Sequence, residues 1–142
     1  MENYFELFDE KFSKKKTVDE NAEKILQDLC EQITERWGKH KIVALLFSTS
    51  GDFNSFITYA VHLSVPESNR YYSYRYIEVE QPIDKYFPIQ ISAFQNPPTL
   101  QKKIVGPVEL KNELKNILGD IRTRIVEEHL KQVALFDNNL EE

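Results

Sequence analysis

Residues 71–80, YYSYRYIEVE, gather the side chains best equipped to grip or to react. Tyr72, Tyr74 and Tyr76 alternate, and side chains two apart in a strand share a face. Their rings combine large apolar area with a polar tip, which contact surfaces between proteins favour. With Arg70 and Arg75 the same rings could stack the bases of a single-stranded nucleic acid. Glu78 and Glu80 also share one strand face, as paired carboxylates in acid–base chemistry do. Most such pairs are simply the wet side of a strand.

His62 is the best general-base candidate. Ser64 falls on the same face, and Asp52 could approach across a turn, which would supply nucleophile, base and orienting carboxylate. Residues two apart in a strand are separated by about 7 Å at Cα, loose for a hydrogen bond. No catalytic residue is therefore assigned. His40 follows a helix end, where it complements the macrodipole. His129, in VEEHLK, lacks the one-face ligand spacing of a zinc helix. Cys30 reads as a small buried filler. Gly38, Gly51, Gly106 and Gly119 are too scattered for a phosphate loop or a dinucleotide fingerprint, and there is no G-x-S-x-G elbow. The expectation is no metal and no cofactor.

The elements that must carry these residues are legible from periodicity. NYFELFDEKF (3–12) places Phe5, Phe8 and Phe12 at helical spacing, with Tyr4 and Leu7 beside them, and could form a short extra helix. SKKK (13–16) is a solvated joint. Thr17 and Glu20 make a capping box, after which Ala22, Ile25, Leu26, Leu29, Ile33 and Trp37 form one helical stripe ending at Gly38. Ile42 to Phe47 is a continuous apolar run, the signature of a strand covered on both faces. SFITYAVHLSV alternates, PESN turns, the tyrosine strand follows, and FPIQIS makes a fourth strand. Pro88 places that strand at an edge or at its own beginning. NPPTLQKKIVG reads as an irregular connection. A second long helix opens at Pro107 and runs from Leu110 to Val133, with a kink at Gly119 or a restart capped by Asp120. DNNLEE (137–142) reads as a frayed tail.

Short turns join antiparallel neighbours. The predicted fold is α+β: a four-stranded antiparallel meander flanked by an N-terminal and a C-terminal long helix, in the order α-β-β-β-β-α. The tyrosine strand poses a problem of parity. Ile77 and Val79 call for the odd residues inward, whereas the tyrosines call for the even ones. Pairing Val65 with Tyr71 honours the first and leaves Tyr72, Tyr74 and Tyr76 on the second face with Phe56, Ala60 and His62. Pairing Val65 with Arg70 makes the tyrosines core and needs a bulge near Arg75. The first register is adopted.

At 142 residues the chain is expected to be one domain. Its net charge of −5 argues against nucleic acid. Acidity sits at the two ends, with net −3 over residues 1–40, +1 over 41–106 and −3 over 107–142. A single cysteine permits no internal disulfide and favours a reducing compartment. No secretory signal and no membrane-spanning run is apparent, so a cytoplasmic protein is expected. The sequence points to a small soluble, non-enzymatic protein-binding module, of adaptor, immunity-type inhibitor or chaperone-like kind. Its partner would be another protein or a second copy, met through an aromatic sheet face with Tyr72, Tyr74, Tyr76, Phe56, His62 and Arg70 as the contact residues. The alternative is an enzyme or small-ligand protein with a cleft near His62 and the tyrosine strand.

Overall fold

A computed structural model describes residues 21–50, 55–66, 72–94 and 100–140. The aromatic segment and basic joint (1–16), the Thr17–Glu20 box, Asp52, Arg70, Tyr71 and residues 141–142 lie outside the described residues.

Helix α1 (Ala22–Trp37) begins where Asn21, in extended backbone, accepts a hydrogen bond from the Lys24 amide at 3.0 Å. That bond satisfies one of the amides every helix start leaves open. The stripe from Ala22 to Trp37 is buried as its spacing predicts, and Cys30 is buried beside it. Gly38 keeps right-handed backbone and opens a short 3-10 turn, Gly38–His40. Left-handed backbone comes three residues later, at Lys41, with φ 64°.

Five strands follow in sequence order: β1 (Val43–Ser50), β2 (Phe56–Val65), β3 (Tyr72–Pro82), β4 (Ile89–Ala93) and β5 (Leu100–Ile104). All neighbours are antiparallel, in the order β1-β2-β3-β4-β5. The α+β meander is as expected, with one strand more than the sequence suggested. LQKKI hides as a strand because its middle inward position, opposite Ile91, is Lys102. The Lys102 ammonium reaches the carboxylate of Glu113, which is buried, at 3.1 Å. The stem can thus lie along the sheet while the charge is paired. With β5 outside it, β4 is an interior strand, and Pro88 precedes it rather than marking an edge.

The register expectation is overturned. Val65 pairs with Tyr72 and Leu63 with Tyr74, so these tyrosines share the face of Leu63 and Val65. Between Val61/Ile77 and His62/Arg75 the ladder skips Tyr76. This extra residue is a β-bulge, and it switches parity midway. Tyr72 and Tyr74 face inward before it, Ile77 and Val79 after it, so both halves of the row keep their apolar side chains on one side.

On that side, the helix face, Val61, Leu63, Val65, Ile77, Val79, Ile89 and Ile91 form one core with the stripe of α1. Helices α2 (Pro107–Gly119) and α3 (Ile121–Leu140) complete it through Leu110, Leu114, Ile117 and Leu130. Pro107 opens α2 as its sequence predicts. The break at Gly119 is a restart: the Asp120 carboxylate accepts from the Arg122 amide at 2.9 Å and pairs with the Arg122 guanidinium at 2.7 Å. Those bonds hold its carboxyl down to about 2.

The opposite, open face of the sheet carries Leu45, Phe47, Phe56, His62, Arg75 and Glu78, as the pairing register requires. Leu45 and Phe47 are 36% and 47% exposed. The expectation that the first strand is covered on both faces therefore fails on this side.

Candidate binding surface

The structure divides the six predicted contact residues. Tyr72, Tyr74 and Tyr76 lie on the helix face, Phe56 and His62 on the open face, and Arg70 outside the described residues. The tyrosines form the seat of α3. Tyr72 meets His129 through a 3.1 Å hydrogen bond and an edge-on ring contact at 5.4 Å. Tyr76 is 1% exposed, and its hydroxyl lies 2.6 Å from Thr123 Oγ1. Thr123 donates its own hydrogen to the Ile117 carbonyl at 2.6 Å, so Tyr76 is the donor in the pair. Burial raises the pKa of that hydroxyl, which keeps the proton in place.

The bulge reaches further. The Tyr76 carbonyl accepts from the Phe94 amide at 2.9 Å, and Phe94 has left-handed backbone, φ 62°. Such a conformation is costly for an aromatic residue. Phe94 is held there by the Tyr76 ring at 5.8 Å and by the Arg122 guanidinium, 4.5 Å from its ring centre.

On the open face, His62 and Ser64 do not bond each other directly. Ser73, across the ladder, joins them: Ser64 Oγ donates to Ser73 Oγ at 3.2 Å, and Ser73 Oγ lies 3.2 Å from His62 Nδ1. Partial burial and the nearby Arg75 lower the His62 pKa. A neutral imidazole accepts the Ser73 hydrogen at Nδ1, so the chain runs Ser64 to Ser73 to His62. This is a hydroxyl–base contact without the third member of a triad. Among the described residues, no carboxylate bonds the imidazole, whose other neighbour is the Phe47 ring, edge-on at 4.9 Å. Nor do the described residues contain a group of three side chains able to hold a metal ion.

What the open face does offer is apolar area. Phe56, 49% exposed, stands opposite Pro82 at one end, and beyond the Thr49–Thr58 row Phe47 and Leu45 lie along β1 toward His62. The Ile83 amide is bonded to the Ser55 carbonyl at 2.9 Å, one step past the Phe56–Pro82 pair. Beyond His62 and Ala60 the face becomes charged, with Arg75 paired to Glu78 at 3.3 Å. Sequence reasoning missed Ser73, which only the ladder brings to His62, and Thr34. Thr34 lies on α1, and its hydroxyl accepts from the Ala44 amide at 2.9 Å and sits 3.4 Å from the Ala44 carbonyl. It thereby covers part of the outer edge of β1.

A shallow depression of about 400 Å³ lies beside that contact, lined by Cys30, Glu31, Thr34, Glu35 and Ala44. Burial pushes the Cys30 thiol up to about 12, so it is no nucleophile in the folded chain. No helix among the described residues is long and apolar enough to cross a membrane. No protein-family model, curated protein or solved structure matches this chain.

Proposed function

We infer that the protein is a non-enzymatic binding module of the cytoplasm that meets another protein through the open face of its sheet. One observation supports this above the others. Leu45, Phe47 and Phe56 expose 36%, 47% and 49% of their surface on one side of β1 and β2, with the Thr49–Thr58 row between Phe47 and Phe56. Aromatic side chains left exposed on one sheet face suit a protein contact, because they dominate the energetics of such contacts. Phe56 and His62 remain contact residues in this reading. The tyrosines contribute from behind, by seating the helix that backs the sheet.

The test compares wild type with a Phe47→Ser, Phe56→Ser double variant, both immobilised as full chains. Both positions are half exposed, so the variant should keep its circular dichroism spectrum. Proteins retained by wild type and lost by the folded variant would support the reading. Identical capture by both would overturn it.

A further inference from the structure

We propose that the outer edge of β1 pairs with the same edge of a second copy, antiparallel and centred on Ser48, so that two five-stranded sheets join into one. The pairing stands on backbone geometry and does not need the partner proposed above.

The edge is closed at one end only. The Ile42 amide is bonded to the Trp37 carbonyl at 3.4 Å, and the Thr34 hydroxyl takes both backbone groups of Ala44. Ala44 therefore turns its N–H and C=O outward, away from β2. Direction alternates along a strand, so the N–H and C=O of Leu46, Ser48 and Ser50 also point outward. Among the described residues, no hydrogen bond reaches these groups and no strand lies beyond β1. The cause is the slant of α1. Its first turn stands over β2, where Glu23 bonds the hydroxyl of Tyr59, opposite Ser48. By Thr34 the helix has crossed to the outer side of Ala44. It overhangs one half of the edge and leaves the other half open. Exposure follows the same division: Ala44 is buried, whereas Ser48, Thr49 and Ser50 are exposed.

The open run fits a copy of itself. An outer strand without charge or proline is a template for another strand, and VALLFSTS has neither. Placing Ser48 opposite the second copy's Ser48 sets Leu46 against Ser50 on each side. Each outward residue, Leu46, Ser48 and Ser50, then exchanges two backbone bonds with the residue facing it, six in all. Sliding by two residues one way drives the second copy's Ser50 against Thr34 at Ala44. Sliding the other way carries Leu46 past the end of the facing strand. Either shift leaves four bonds. Thr34 and the strand end thus fix one register, and the two-fold axis closes the contact at two copies. That self-matching length selects a second copy over another extended chain. On the open face, Phe47 stands opposite the second copy's Thr49, an aromatic ring against a β-branched side chain at the closer, non-hydrogen-bonded spacing. The pair covers part of a ring that is 47% exposed. Both open faces lie on the same side of the joined sheet. A contact this small belongs to the weak class, which forms as concentration rises.

The axis supplies the test. Ser48 faces its own counterpart, so Ser48→Lys and Ser48→Asp each set like charges opposite one another, while a mixture of the two sets opposite charges there. Ser48 is exposed, so both variants should keep the circular dichroism spectrum of wild type. Sedimentation of the full chain is followed from micromolar to millimolar concentration. Wild type should approach twice the monomer mass, each variant alone should stay monomeric, and an equal mixture should recover the doubling. A wild type that stays monomeric would overturn the proposal. So would doubling indifferent to both substitutions, which would put the contact elsewhere, or a mixture that fails to recover it. Hydrogen exchange on wild type alone keeps the test sound if a variant misfolds. The amides of Leu46, Ser48 and Ser50 should exchange more slowly as the mass doubles, and unchanged exchange there would equally sink the pairing. No partner enters these measurements, so their outcome is independent of the capture experiment.

Discussion

At the scale of single residues, the informative position is Tyr76. It is the one residue of β3 without a partner on β2, and it turns a strand with two conflicting halves into one with a single inward side. The sequence contained this solution as the competing register, because Ile77 and Val79 disagree with Tyr72 and Tyr74 over parity. It held no sign of which answer wins, since that depends on what lies above the strand. Thr123 lies 47 positions away and supplies the acceptor that lets a bulged tyrosine be fully buried. The same contact makes an asymmetric prediction. Tyr76→Phe removes one hydroxyl and leaves Thr123 bonded to Ile117, so it should cost about 1 kcal/mol. Thr123→Val strands the tyrosine hydroxyl in the core, while the Ile117 carbonyl keeps the Asp120 amide at 3.1 Å, so it should cost about 2 kcal/mol. Combining the two should be no worse than Thr123→Val alone, because the stranded hydroxyl is then gone. Urea unfolding of the three variants reads this order, and equal single-variant losses would contradict it.

Elements were legible where one periodicity ran uninterrupted. The stripe of α1, the start of α2 at Pro107 and the alternation of β2 all appear as read. β5 was not legible, because its middle inward position is a lysine whose partner, Glu113, is on another element. The two outer strands then differ in kind. β5 is five residues long and carries Lys102 and Lys103, while β1 is eight long and has no charged residue. Uncharged outer strands are templates for unwanted pairing, and proteins usually blunt or cover them. Here α1 does so at Ala44, where the Thr34 hydroxyl occupies both outward backbone groups. Thr34→Val keeps the side-chain volume and loses both bonds beside a buried Ala44, so it should cost about 1–3 kcal/mol. Thr34→Ser keeps the hydroxyl and should cost less. Chemical denaturation of the pair checks the order, and an unaltered midpoint for Thr34→Val would show that water replaces the hydroxyl there.

At the scale of the molecule, the sheet has one side for folding and one side left over. The sequence announced a surplus of aromatic residues but assigned it to the wrong strand face, since the inward set changes parity at the bulge. The covered side joins all three helices to the sheet in one core, so the described chain should unfold as a unit. Two natural probes can test this, because the chain has one tryptophan and one cysteine. Both are on α1, with Trp37 1% and Cys30 7% exposed. Seven residues put them about 10 Å apart along the helix. Trp37 lies at the helix end leading into β1, whereas Cys30 lines the shallow depression beside Thr34. In the fold the Cys30 thiol is held up to about 12, far above its unfolded range, so at mildly alkaline pH it reacts appreciably only once exposed. If the core is a single cooperative unit, the fraction of reactive thiol and the tryptophan fluorescence should trace the same urea transition with the same midpoint. Thiol reactivity rising at lower urea than the fluorescence change would instead mark α1 as a separately opening segment, hinged where it meets β1.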